Sequence, residues 1–175
     1  VVGEASMCTH TTHPAAVHDG KQALRVLPQL KEISVYQDVP VSDEQSYTIS
    51  GWIKTDDLSG SARLRAEVLD STGRLLHTAE SGSVSGSSRR FVECTIALPR
   101  APIGSHTLRV SLVAVAADES RDPLQKAFFD AISVTENGEQ VVLANPSFEN
   151  QRVWFTDDVQ AYSAYLRAVA ACLEE

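Results

Sequence analysis

Aromatic side chains are scarce, 6% of 175 residues. That argues against a broad stacking platform built from many rings. Basic residues are outnumbered, 15 Lys and Arg against 23 Asp and Glu, which leaves a net charge of −8. Nucleic acid and anionic membrane surfaces are therefore excluded as main partners, because both need clustered cations. Only three cysteines are present, Cys8, Cys94 and Cys172. So few, so far apart, make no disulfide framework, although one bridge with one free thiol stays open. No apolar run approaches the roughly 18 residues of a membrane span. The opening VVGEASMCTH has neither a basic n-region nor an apolar h-region, so an export signal is expected to lie outside this sequence or to have been removed. There is no N-x-[ST] acceptor, no G-x-S-x-G elbow, no H-E-x-x-H, no P-loop and no dinucleotide fingerprint. No nucleophile and base can be named, so an enzyme is the least supported class.

What is present is strand signal. Runs rich in Val, Ile, Leu, Tyr and Thr recur between polar or Gly-containing turns. Strands are expected near Gln22–Leu27, Glu32–Val39, Ser46–Thr55, Ala62–Asp70, Arg74–Ala79, Arg90–Leu98, His106–Ala114, Ala127–Thr135 and Gln140–Leu143. Several alternate with a period of two. Leu108, Val110 and Leu112 share one side, with Arg109 and Ser111 on the other. Tyr47, Ile49 and Ile53 oppose Thr48, Ser50, Trp52 and Lys54. One buried and one wet face is the mark of antiparallel sheets. Eight or nine such strands imply an all-β sandwich or barrel. With 43% hydrophobic residues, the chain has enough apolar mass for a core without covalent staples.

Asp70-Ser71-Thr72-Gly73 has the composition of a tight hairpin turn. Ser81–Ser88, rich in Gly and Ser, reads as a flexible loop, and Ala117–Leu124 as another. Near the end, Thr156-Asp157-Asp158 offers a helix N-cap. Val159, Tyr162, Leu166, Val169 and Leu173 then follow at spacings of three and four, which predicts an amphipathic helix over 156–175. Its narrow stripe suits docking on its own sandwich, on a neighbouring domain or on a second copy.

Several segments in order carry a resemblance. They are His18-Asp19-Gly20-Lys21-Gln22-Ala23-Leu24-Arg25-Val26, Tyr36-Gln37-Asp38-Val39-Pro40-Val41, "YTISGWIK" at 47–54 and "FFDAISV" at 128–134. Together they resemble carbohydrate-binding modules of families 4, 9 and 22, which have the galactose-binding-like jelly-roll fold. The resemblance implies an antiparallel jelly-roll β-sandwich, a non-catalytic sugar-binding role as an accessory to a glycan-active or cell-surface protein, and an extracellular or cell-surface location. One departure stands out. The family opens on a strand like "NPxFE", whereas here Asn145-Pro146-Ser147-Phe148-Glu149 comes late, followed by Trp154. The chain therefore divides into a module over 1–144 and an extension over 145–175. Either the extension starts a following module, or 145–149 folds back into the first-strand position. The second alternative requires Phe148 in the core and Glu149 close to Asp130.

Sugar recognition needs a ring that packs on pyranose C–H faces and polar groups for the hydroxyls. Trp52, in phase with Thr48, Ser50 and Lys54, is the lead ligand-binding candidate, although Trp is often covered. Tyr36, Arg25, Arg109 and Glu93 follow from strand phase alone. The resemblance further implies a structural calcium ion held by Asp130, a carbonyl near Gly20, and Glu149, all hard oxygen donors. Cys8, His10 and His13 match no common zinc spacing and read as a polar loop or edge strand. The competing reading of the whole is a structural or protein-interaction sandwich with no sugar ligand, since fold does not fix function.

Overall fold

The computed structural model describes residues 8–28, 32–117 and 124–149. The expected helix over 156–175, Trp154 and Cys172 lie outside these residues. Eleven strands form among them: β1 (Cys8–Thr11), β2 (Ala23–Val26), β3 (Glu32–Pro40), β4 (Tyr47–Asp56), β5 (Leu58–Leu69), β6 (Leu75–Glu80), β7 (Val84–Gly86), β8 (Val92–Leu98), β9 (Thr107–Val115), β10 (Lys126–Glu136) and β11 (Glu139–Val141). They make two sheets. A six-stranded sheet runs β1-β2-β10-β4-β8, with β11 on the far end of β10. A five-stranded sheet runs β3-β9-β5-β6, with β7 also on β5. Every pairing is antiparallel. The expected all-β jelly-roll sandwich is what the described chain adopts.

The alternation seen in the sequence decides which face meets which. Ile49 and Ile53 of β4 and Phe129 and Val134 of β10 point inward from one sheet. Val35 of β3, Leu64 of β5 and Leu108, Val110 and Leu112 of β9 point inward from the other, and all join one core. Gly51 stands in the middle of β4 because the Ile132 side chain of neighbouring β10 fills the space a side chain would need, over Leu64 of the opposing sheet. A Cβ there would meet Ile132 Cδ1 at 2.6 Å, so a side chain would have to wedge its neighbours apart.

One segment differs from expectation. Ser81–Ser88 is not wholly loop, because Val84–Gly86 pairs with β5 at Leu58 and Ala62 and buries Val84. The single apolar side chain anchors a stretch whose composition otherwise reads as linker. Cys8–Thr11 is an edge strand on β2, one of the two forms expected for that segment. The Asp70–Gly73 turn is as its residues suggest. Asp70 Oδ1 accepts from Thr72 N at 2.8 Å and Arg74 N at 3.0 Å, and Gly73 takes positive φ. These bonds, that from the Thr72 hydroxyl first, hold the Asp70 carboxyl below its ordinary range.

The late segment packs on the sandwich. Phe148 is 1% exposed and belongs to the core cluster. Pro146 O accepts from Ile132 N at 3.0 Å, beside a register shift in β10 between Asp130 and Ser133. Cys8 and Cys94 are buried and unbridged, and burial pushes the Cys8 thiol up to about 11.

Candidate functional site

The sequence-selected residues fall on two opposite faces. Tyr36 (β3) and Arg109 (β9) lie on the outer face of the five-stranded sheet. Trp52 (β4), Glu93 (β8) and Arg25 (β2) lie on the outer face of the six-stranded sheet, as strand alternation requires.

On the five-stranded sheet the register runs Tyr36–Ser111–Arg65 in one row and Asp38–Arg109–Glu67 in the next. Arg109 is fixed by two parallel bonds to Asp38, both 2.8 Å. Its guanidinium also sits 4.2 Å from the Tyr36 ring centroid, within cation–π range. The Asp38 bonds raise the Arg109 pKa, against a smaller opposing effect of burial. One row over, Arg65 donates to Glu32 at 2.8 and 3.2 Å and to Glu80 at 2.8 Å, and Arg63 reaches Glu80 at 2.9 Å. Burial alone would raise the Glu80 carboxyl, but Arg65 and Arg63 outweigh it and hold the group low. Half-exposed ion pairs of this kind add little stability each. Their consequence is geometric: planar, charged hydrogen-bonding groups are held in fixed orientation on this face, Arg109 and Asp38 directly beside the Tyr36 ring. Sequence reasoning found Tyr36 and Arg109 but missed Asp38, Glu67 and Arg65. Their strand phase was legible, whereas the register that unites them was not.

Trp52 is a different case. The His18 imidazole stacks on it at 3.9 Å between centroids and 18° between planes, and Phe91 lies 5.4 Å from His18. One indole face is thus taken by the loop after β1. Glu93 pairs across β4 with Trp52, and Asp130 pairs with it from β10. No periodicity links His18 to Trp52, so the cover was invisible in the sequence.

The residues expected at a calcium site converge on one loop. Asp130 is fully buried. Its Oδ2 accepts from His18 N at 2.8 Å and Asp19 N at 3.0 Å, and its Oδ1 from Ala131 N at 2.8 Å. Burial raises the Asp130 pKa, and these three N–H bonds only partly offset it. Glu149 Oε1 accepts from Lys21 N at 2.6 Å and Gln22 N at 2.9 Å. Gly20, between these anchors, has φ +69 and lies so close that a Cβ would meet Glu149 Oε1 at 2.3 Å. Five N–H bonds therefore pin residues 18–22 and Ala131 to two carboxylates. A carboxylate offers about four acceptor directions, so both retain capacity for a cation, and a buried, desolvated Asp130 is a group that a cation would relieve. Among the described residues no cluster of three or more His, Cys, Asp or Glu is arranged for a metal, so backbone carbonyls would have to complete the shell.

No family model and no curated protein matches the chain in sequence. Solved structures do match in shape. The CBM22-2 xylan-binding domain of Paenibacillus barcinonensis Xyn10C superposes with a TM-score of 0.55 at 12% identity, over 75% of this chain and 88% of that one. TmCBM61, solved with β-1,4-galactotriose, gives 0.50 at 14% identity, over 76% and 84%. The enzymatically active domain of bacteriophage CBA120 tailspike protein 4 gives 0.57 at 8% identity, over 77% of this chain but 18% of that one. The fold shared with these structures is the antiparallel two-sheet jelly roll. At these identities the likeness is one of fold. On the outer face of the five-stranded sheet the Tyr36 ring lies beside the Asp38-fixed Arg109 guanidinium, with no loop stacked on it among the described residues. No helix among the described residues is long and apolar enough to cross a membrane.

Proposed function

We propose that this chain is a non-catalytic carbohydrate-binding module, accessory to a larger glycan-active or cell-surface protein acting outside the cell, and that it binds glycan on the outer face of its five-stranded sheet. The observation that carries the reading is the Tyr36–Arg109–Asp38 unit on an open sheet face of a jelly roll. Tyr36 offers a ring to pyranose C–H groups, the mutually fixed guanidinium and carboxylate of Arg109 and Asp38 offer donors and acceptors to hydroxyls without further ordering cost, and Glu67 adds a neighbouring acceptor. The xylan and galactotriose named with the two similar modules make xylo- and β-1,4-galacto-oligosaccharides the first ligands to try. A calcium ion shaping the 18–22 loop is part of the proposal, held by Asp130, Glu149 and a carbonyl near Gly20.

The test is a glycan array followed by titration of the best hit. Tyr36→Ala should weaken binding at least tenfold, about 1.4 kcal/mol, with an unchanged melt. Equal affinity in Tyr36→Ala would remove the ligand from this face. A second reading, a protein-interaction sandwich, is favoured by the stacked His18 that covers Trp52, and a clean negative across plant, bacterial and animal glycans would select it.

A further inference from the structure

A cleft of about 320 Å³ lies on the opposite side of the molecule, on the outer face of the six-stranded sheet. Phe128 of β10 forms its floor. Arg25 of β2 and Lys54 of β4 are its register partners on either side, and Lys126 lies two residues before it on the same face. The turn Pro14–Ala16, capped by His13, forms the wall. The single carboxylate in the lining is Asp56, half-exposed and only loosely paired with Lys126 at 3.8 Å. Three cations thus face one carboxylate in a chain whose net charge is −8. Chance would place the opposite sign here.

Two of the cations are also held in position. Arg25 Nε donates to Thr9 Oγ1 at 3.0 Å, which fixes the plane of its guanidinium and leaves both terminal NH₂ groups without a carboxylate among the described residues. Lys54 Nζ donates to Ala15 O, which ties the floor to the wall. A fixed guanidinium fork with no carboxylate on it is the geometry that receives one through two parallel bonds. The volume is at the lower end for small-molecule sites and admits one or two sugar rings.

We infer that this cleft is a second binding site, for the carboxylate of an acidic sugar residue such as a hexuronate. Arg25 takes the carboxylate, Lys54 and Lys126 supply long-range attraction, and Thr11 and the exposed edge of the turn meet the hydroxyls. The site does not depend on the glycan reading of the opposite sheet.

Amide shift titrations with D-glucuronate, D-glucose, acetate and sulfate test it. D-glucuronate should give saturable shifts at residues 25, 54 and 126–128, weakening with salt. D-glucose should move nothing there. Arg25→Gln should lose at least tenfold in affinity for D-glucuronate, and Lys126→Gln less, both with unchanged melts and unchanged binding of any neutral glycan at Tyr36. Acetate or sulfate binding as tightly as D-glucuronate would reduce the cleft to a general anion site and overturn the sugar assignment. Absence of saturable shifts with D-glucuronate would overturn the site altogether.

Discussion

Substituting Gly20→Ala should destabilise the protein by about 2–4 kcal/mol, most of it through Glu149. Two effects add. Gly20 sits at φ +69, a conformation that costs an L-residue with a side chain about 1–2 kcal/mol. The new Cβ would also lie 2.3 Å from Glu149 Oε1, well inside contact distance. Glu149 must swing away, and Oε1 then releases the amides of Lys21 and Gln22, held at 2.6 and 2.9 Å. Discounted for exposure, those bonds are worth about 1 kcal/mol each. The sum corresponds to roughly 6–12 °C in Tm for a domain of this size. A double-mutant cycle with Glu149→Ala separates the parts. In the Glu149→Ala background, Gly20→Ala should cost only the backbone part, about 1 kcal/mol, leaving a coupling near 2 kcal/mol in urea denaturation. Additivity within about 0.5 kcal/mol would refute the claim that the late segment holds this loop.

Other outcomes follow from the same structure. Phe148→Ala, which empties a buried core position, should cost about 3–5 kcal/mol in denaturant unfolding; a loss under 1 kcal/mol would show the segment is not part of the core. Tyr47 donates to Glu136 at 2.7 Å; burial first, then that bond, raises its pKa from 10.0 to about 12, while burial takes Cys8 from 9.0 to about 11. Both folded values lie above the unfolded ones, so the unfolded chain ionises first. Stability should be intact below pH 9 and fall by roughly a few kcal/mol between pH 9 and 12. Tyr47→Phe should flatten the upper part of that fall in melts run across the range. Calcium should raise Tm reversibly against EDTA, and Asp130→Asn should abolish the response; the Asn amide has one acceptor oxygen where the carboxylate has two, and it turns its own donors toward the remaining N–H groups. Tyr36→Phe should keep glycan affinity within about threefold, because the ring rather than the hydroxyl carries the contact.

Much of the fold was legible because one face of each strand is buried. Leu108, Val110 and Leu112 alternate cleanly with Arg109 and Ser111, and Thr107–Val115 is the strand they predict. β7 was not legible, and β1 was legible only as a choice between polar loop and edge strand. Cys8-Thr9-His10-Thr11 lacks apolar alternation, and in Val84–Gly86 one valine is the whole hydrophobic signal. The jelly roll recruits both by pairing to a neighbour, which sequence periodicity does not report. The site was legible to the same extent. Phase put Tyr36, Arg109 and Trp52 on outer faces correctly. It could not show that Arg109 lies over Tyr36, that His18 lies over Trp52, or that Phe128, inside a run of apolar residues, floors a cationic cleft. Those facts depend on register and on a loop crossing, both set by the assembled sheets.

The most direct measurement is backbone amide shift mapping with neutral oligosaccharides, beginning with xylo- and β-1,4-galacto-oligosaccharides. Saturable perturbations are expected to be confined to β3, β9 and β5, at and around residues 36, 38, 109, 111, 65 and 67. Perturbations centred instead on Trp52, His18 and Glu93, or no saturable perturbation with any glycan, would contradict glycan binding on the five-stranded sheet.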